Sequence, residues 1–440
     1  MKASDLFVKC LEEEGVEYIF GLPGEENADL MISLMDSKKI RFILVRHEQA
    51  AAFMADVYGR LTQKVGICLS TLGPGATNLT TGVANANMDR SPILAITGQT
   101  DSELLHKESH QNMDVITMFK SITKWNRSIR NSDTMPEIVR RAFKTCLQEK
   151  AGATHIELTQ DIAKHDSAIT PLKSRESLRA RPNKSLIIKA VKSILGSKKP
   201  LILVGNGCVR GNASPSLREF VRTTGIFSVN TFMAKGVISD RFDTHLQTMG
   251  IKEADHVLIA VKEADLVIAI GYDLVEYSPK YWNSDLKKNI IHIDFTPAEV
   301  DTYYSPTIEI AADIEYTIEA ITGQLKEEIQ NKDPSRIKHK REYHDVRAYL
   351  ERNYIRDPFK KVKKEIEWRS NEKFKNDLSF PIKPEKLVYD VRTALDDNDI
   401  VISDVGVHKL WIAKLYNTFR PNTCLIPNGS VRWDSRCLVQ

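Results

Sequence analysis

The sequence predicts an α/β fold of mostly parallel sheets flanked by helices, arranged as three successive units. Two observations carry this. Short apolar runs of strand character alternate with helical patterns from the N-terminus onward, and polar, Pro-containing or densely charged segments divide that alternation into blocks.

In the first block, Ser4 is placed to cap a helix running to Glu14, and Tyr18–Phe20 reads as a short strand ending in GLPG. Phe42–Val45 reads as a buried strand, and Gly66–Ser70 as another, followed by TLGPGATN and a helix. Ile93–Thr97 is a further strand, and His155–Leu158 closes the block. Residues 166–185 are polar and contain Pro, so they read as a linker and the first unit spans 1–165. The second unit, 186–335, opens with a helix and continues through LILVGNG (201–207), Phe227–Val229, DLVIAIG (265–271) and IIHIDF (290–295). Residues 325–375 carry dense mixed charge. Their interleaved acidic residues favour solvated helices and a connector over a basic nucleic-acid surface. The third unit, 376–440, begins near Pro381 and holds the strand DIVISDVG (399–406) before HKLWIAKLY. At about 60 residues it falls well short of an ordinary domain, so an incomplete unit is expected.

Composition excludes several classes. The chain of 440 residues is 42% hydrophobic and 27% charged, which is globular composition with length for two or three domains. A net charge of +4 argues against a dedicated nucleic-acid partner. The six Cys are scattered without metal or disulfide spacing, so a reducing, cytoplasmic location is expected. No stretch approaches the ~20 apolar residues of a membrane span, and the N-terminus mixes charge into every turn, so neither a membrane partner nor a signal peptide is expected.

Three stretches bear on chemistry. Gly205-Asn206-Gly207-x-x-x-Gly211 follows a strand and opens a helix, but its spacing is not that of a dinucleotide fingerprint, and no acidic residue ends a strand about 20 residues later. It reads first as a tight βα turn. The crowding of Gly73, Pro74 and Gly75 before a helix lets backbone approach a ligand closely. Glu48 stands just past a strand, in a helix's first turn. The helix macrodipole alone would favour it there. Small residues beyond it, Ala50, Ala51, Ala55 and Gly59, would allow close packing at an interface and leave the carboxylate in poor solvent. Such a carboxylate suits proton exchange with a bound base.

Together these stretches resemble the thiamine-diphosphate-dependent enzymes of the acetolactate synthase group, over residues 1 to about 429. The resemblance lies in GLPGEEN (21–27), RHEQAAAFMADVYGR (46–60), STLGPGATN (70–78), PILAITGQ (92–99), HQNMD (110–114) and TKW (123–125). It continues in GNASPSLREF (211–220), NTFMAKGV (230–237), GYDLVEYSP (271–279) and SDVGVHKLW (403–411). GYDLVEYSP and HQNMD look most like the catabolic, FAD-independent members, so FAD is not expected. The resemblance implies a pyrimidine-binding domain, a central Rossmann-like domain and a diphosphate-binding domain. It implies that Glu48 hydrogen-bonds N1′ of the aminopyrimidine and exchanges a proton with it. Two pyruvate molecules would then yield 2-acetolactate and CO2, with the cofactor as electron sink. It places Pro23, Gly24, Thr71, Pro74 and Asn78 at the cofactor, Gln111 near the reacting carbon, and Gly406, Val407 and His408 near the diphosphate. It also implies a homodimer or homotetramer, with each site built between two subunits.

Two features depart from the family. Its members hold diphosphate and Mg²⁺ with a Gly-Asp-Gly stretch, which occurs nowhere in this chain, so no metal ligand is assigned. The ending GSVRWDSRCLVQ also replaces a family stretch like Met-Gly-Phe-Ala-Leu-Pro-Gly-Ala. A one-base shift of the codons from Arg432 onward can restore that stretch, so a frameshift near Gly429 and inactivity of the chain alone are expected. A related 2-oxoacid decarboxylase or carboligase is the nearest alternative, but the adjacent histidines of pyruvate decarboxylases are missing among the 11 His. A non-catalytic subunit pairing with a full-length relative is the second alternative, and an NAD-dependent oxidoreductase built on Gly205 and Gly207 the weakest.

Overall fold

The computed structural model describes residues 1–175, 178–250, 255–332, 342–369 and 372–427. The chain forms two compact units that divide at residues 177/178. The ending at 428–440, where the frameshift is inferred, lies outside the described residues.

The first unit runs α1 (Ala3–Glu13), β1 (Tyr18–Gly21), α2 (Ala28–Asp36), β2 (Arg41–Leu44), α3 (Glu48–Thr62), β3 (Gly66–Ser70), α4 (Pro74–Met88), β4 (Ile93–Gln99), α5 (Val115–Lys120), β5 (Trp125–Ile129), α6 (Met135–Leu147), β6 (Ala153–Thr159) and α7 (Gln160–Lys164). Its six strands are all parallel, in the order β2-β1-β3-β4-β6-β5. Alternate strand residues feed opposite cores, as the pleat requires. Ile67, Leu69, Leu94 and Ile96 pack with α1, α2 and α6, whereas Cys68, Ile93 and Ala95 pack with α3, α4 and α5.

The second unit runs α8 (Lys184–Gly196), β7 (Pro200–Val204), α9 (Gly207–Arg210), α10 (Ser214–Thr224), β8 (Phe227–Asn230), β9 (His245–Thr248), α11 (His256–Glu263), β10 (Leu266–Ile270), β11 (Asn289–Asp294), β12 (Ile308–Ala311) and α12 (Ile314–Lys332). It continues through α13 (Glu342–Asn353), α14 (Asp357–Arg369), α15 (Glu372–Lys375), α16 (Pro384–Ala394), β13 (Val401–Ile402), α17 (Val407–Leu415) and β14 (Cys424–Leu425). Six parallel strands again form a sheet, in the order β12-β11-β10-β7-β8-β9, and β13 pairs with β14 in parallel. The expected α/β class with parallel sheets flanked by helices is therefore what the chain adopts.

Several local expectations change. Ser4 lies inside α1, where Lys2 takes the capping position, and its buried hydroxyl accepts from Ser33 Oγ at 2.8 Å. The run Phe42–Val45 was expected as a buried strand, but β2 is a sheet edge and its Leu44 is 66% exposed. An edge strand lacks a neighbour on one side, so an apolar run there need not be covered. Strands β5, β9 and β12 escaped the sequence reading because WNRSI, HLQT and IEIA are short and partly polar. The expected strand at 399–406 shrinks to the two residues of β13. Within the charged 325–375 segment, α14 is more than a solvated connector. It buries Phe359 and Val362 in one core of the second sheet, with the Phe359 ring 5.3 Å from that of Phe227.

Candidate active site

In the first sheet the chain leaves β1 toward β2 on one side and later continues from β3 toward β4 on the other. Adjacent β1 and β3 therefore form a switch point, the place where open α/β sheets bind ligands beyond the strand ends. Pro23 and Gly24 follow β1 there, and Thr71, Pro74 and Gly75 follow β3. The two loops touch so closely that a Cβ at Gly24 would lie 2.5 Å from Thr71 Cβ. Gly24 N–H donates to Asn27 Oδ1 at 2.9 Å, and Thr71 Oγ1 donates to Glu26, a carboxylate the sequence reading had not singled out. Its signal was its place in GLPGEEN, two residues after Gly24.

Glu48 enters from the neighbouring connection. β2 delivers the chain to the start of α3, whose N-cap His47 accepts the Gln49 N–H through Nδ1 at 3.1 Å. The Glu48 side chain is buried, and its Oε2 accepts from Asn78 Nδ2 on α4 at 2.9 Å. Oε1 accepts no hydrogen bond among the described residues, and it lies 3.3 Å from where a Cβ on Gly75 would be. One carboxylate oxygen is thus held by the protein. The other stands beside Gly75, and the Thr71 methyl would lie 3.1 Å from the same added atom.

The small residues of α3 serve packing inside the chain. Ala51, Ala52 and Ala55 belong to the core shared with α4, where a Cβ on Gly82 would lie 2.5 Å from Ala52 Cβ. Gly59 approaches the Pro92 carbonyl, and Gly66 approaches that of Ala55. The close packing expected at an interface is therefore in large part helix against helix and helix against strand within one subunit. Farther along α3, Asp56 is fully buried, accepts from Asn85 Nδ2 at 2.7 Å, and is pushed above the usual carboxylate range by burial and next by Asp89. Sequence spacing gave no signal for that pair, which α3 and the end of α4 bring together.

Gln111 comes to the same loops by its backbone. Both it and Gly73 have positive φ, 55° and 48°, and a Cβ on Gly73 would meet the Gln111 carbonyl at 2.5 Å. Pro23, Gly24, Glu48, Thr71, Pro74 and Asn78 are thus gathered at the β1/β3 switch point, with Gln111 packed against it. Gly406, Val407 and His408 lie in the second unit, at the start of α17. Gly406 has φ 154°, and a Cβ there would fall 2.7 Å from the His408 ring.

The Gly205–Gly211 loop is a tight turn for a structural reason. A Cβ on Gly205 or Gly207 would meet the backbone of Gly271 at 2.4 and 2.6 Å, so two strand-to-helix connections share one narrow space. Glu276 fills the rest: its Oε1 accepts the Asn206 N–H at 2.9 Å, and its Oε2 accepts from the Thr231 hydroxyl.

Residues 1–118 match the N-terminal TPP-binding domain of thiamine pyrophosphate enzymes, and residues 187–321 match their central domain. The acetolactate synthase of Bacillus subtilis (strain 168) is 31% identical over 431 residues, covering 97% of this chain and 71% of the relative. The chain belongs to the acetolactate synthase family. A probable acetolactate synthase large subunit of Methanococcus aeolicus is 32% identical, over 98% of this chain and 71% of its own length. The catabolic acetolactate synthase of Raoultella terrigena is 30% identical, over 97% and 72%. As a member of this family the chain is an enzyme of the transferase class for aldehyde or ketone groups, built on thiamine-pyrophosphate-binding domains. The residues around Glu48 suit that cofactor: a buried carboxylate with one oxygen free of protein hydrogen bonds can meet a ring nitrogen. Among the described residues no group of three His, Cys, Asp or Glu side chains could hold a metal ion, and no helix is long and apolar enough to cross a membrane.

Proposed function

We propose that this family member condenses two pyruvate molecules to 2-acetolactate and CO2, with Glu48 as its proton-exchanging group. The observation that carries the proposal is the buried Glu48 carboxylate, held through Oε2 by Asn78 and open at Oε1, at the β1/β3 switch point. Bound thiamine diphosphate supplies the electron sink for decarboxylation and for joining the second pyruvate. The chain's own residues do the rest. Glu48 Oε1 accepts a proton from, and returns it to, a ring nitrogen of the pyrimidine. Asn78 keeps the carboxylate from turning away. Gly24, Thr71, Pro74 and Gly75 would lie around the ring, with Gln111 toward the reacting carbon. Gly406, Val407 and His408 are assigned to the diphosphate, where the α17 N-terminus favours negative charge. No step is assigned to Mg²⁺, because the Gly-Asp-Gly stretch that holds it in the family occurs nowhere in this chain.

The reading is of the catabolic type, without flavin. It is supported by the GYDLVEYSP stretch, whose Glu276 takes up the Asn206 N–H and the Thr231 hydroxyl at the β7/β10 switch point, where a dinucleotide would otherwise find donors. We place the enzyme in the cytoplasm, in line with the free, buried Cys10, Cys68, Cys146, Cys208 and Cys424. A homodimer or homotetramer is supported by apolar side chains left open in the first unit, Leu44 on β2 at 66%, and Ile32 and Met35 on α2 at 58% and 83%.

The test is a pyruvate-to-acetolactate assay, with calorimetric titration of thiamine diphosphate. It uses the 440-residue chain and a fusion carrying the C-terminal segment of the Bacillus subtilis relative. Turnover by the fusion that disappears in Glu48→Gln is expected. A fusion that binds the cofactor and turns over pyruvate equally well with Gln at 48 would refute the assignment, and a flavin absorbance in the purified protein would refute the catabolic reading.

A further inference from the structure

A groove of about 870 Å³ in the second unit is lined by α10, the 239–242 turn and the 419–421 segment. Four guanidinium groups line it, those of Arg218, Arg222, Arg241 and Arg420, against two carboxylates, Glu219 and Asp397, which leaves two net positive charges. Asp397 is committed to Arg241, whose Nη1 and Nη2 donate to it at 2.7 and 3.1 Å, and it also feels Arg392 and Arg420. Glu219 accepts from Thr223 Oγ1 at 3.2 Å. Neither Arg222 nor Arg420 forms an ion pair among the described residues.

Arg218 is the fixed member. Its Nε donates to the Val237 carbonyl at 2.8 Å, and its Nη2 donates to those of Gly236 at 2.7 Å and Phe419 at 2.8 Å. Its Nη1 makes no hydrogen bond among the described residues. Burial and then the charges of Arg222 and Arg420 hold its pKa below the ordinary value, so the three cations repel one another. Arg222 lies over the Phe242 ring at 5.1 Å and Arg241 over the Phe419 ring at 3.8 Å, so aromatic faces position two of the four. A preorganised guanidinium with an open donor, beside two further cations and two aromatic rings, suits a doubly charged phosphoryl group carrying a ring or apolar body. The groove volume suits a molecule of nucleotide size.

We propose that this groove is a binding site for a phosphorylated small molecule of the nucleotide type, held through its phosphate by Arg218, Arg222 and Arg420. None of its residues belongs to the unit that holds Glu48, and it gives the enzyme a place to sense a phosphorylated metabolite.

The experiment is calorimetric titration of the 440-residue chain with ADP and with inorganic phosphate, at low ionic strength and without thiamine diphosphate, which carries a phosphoryl group and a ring of its own and would compete for the groove. Arg222 and Arg420 are exposed, so the Arg222→Glu/Arg420→Glu double variant should keep the fold, which circular dichroism checks; Arg222→Gln/Arg420→Gln is the milder alternative. ADP binding that weakens at least ~10-fold in either double variant, falls with added salt and is unchanged by Arg352→Glu on α13 is the expected result. Inorganic phosphate binding with the same dependence would support the site and assign recognition to the phosphoryl group alone. Absence of ADP and phosphate binding, or binding indifferent to both double variants, would overturn the proposal.

Discussion

Asn78 Nδ2 donates to Glu48 Oε2 at 2.9 Å, so the second turn of α4 holds the carboxylate that opens α3. The two residues are 30 apart in sequence. They meet because α3 and α4 pack through Ala52 and Gly82 with almost no side chain between them.

Glu48→Gln keeps size and the bond to Asn78 but cannot exchange a proton. In an active fusion it should lower kcat by ~10²–10⁴ with an unchanged melting temperature. Asn78→Ala should lower kcat less, because the carboxylate remains but is no longer oriented. Steady-state assays beside thermal melts separate the two.

Gly82→Val places side-chain atoms where a Cβ alone would already stand 2.5 Å from Ala52 Cβ. The helices must separate, and overpacking of this kind costs about 1–3 kcal/mol. Urea denaturation should show a lower midpoint. Gly323→Ala, where nothing lies within 4 Å of the added Cβ and the residue is mid-helix in α12, should leave the midpoint equal or higher.

Burial raises Glu276 to about 7, despite the Thr231 and Asn206 hydrogen bonds. The folded state therefore retains a proton that the unfolded chain gives up near pH ~4.5. Its contribution is fully present below that pH and is lost as pH rises through about 7, at a cost of about 3 kcal/mol. Glu276→Gln, which mimics the protonated form, should flatten the stability loss between about pH 5 and 8. Denaturation midpoints across that range measure it.

Two buried histidines act in the opposite direction. Burial lowers His155 to about 3 and His245 to about 4. His155 stacks on Phe119 at 4.1 Å and shares a hydrogen bond with Thr97, while His245 shares one with Ser228. Each folds as the neutral ring, so its contribution is present above the unfolded pKa near 6.5 and is lost as pH falls, by about 1.4 kcal/mol per pH unit. The first sheet should weaken in acid, whereas in the second the His245 loss runs against the Glu276 gain. His155→Gln should reduce the acid slope of the first unit, as hydrogen exchange on β4 and β6 would report.

The linear sequence determined what depends on neighbours along the chain. The helix–strand alternation, the buried strands Gly66–Ser70 and Leu266–Ile270, the glycine turns after them and the family motifs around Glu48 were all legible, because period, turn chemistry and residue type are local properties. Only the tertiary structure decided what depends on order across a sheet. That β2 is an edge, and so leaves Leu44 open, follows from β1 taking β3 as its other neighbour, which no run of residues announces. The same crossover makes the switch point that gathers Gly24 and Thr71. The helix pairing brings Asn78 to Glu48, and the fold of the 419–421 segment beside α10 collects four arginines spread from 218 to 420. Strands β5, β9 and β12 belong with these: their short, partly polar runs form strands because parallel neighbours already offer unpaired backbone N–H and C=O groups, and those groups must be satisfied once buried.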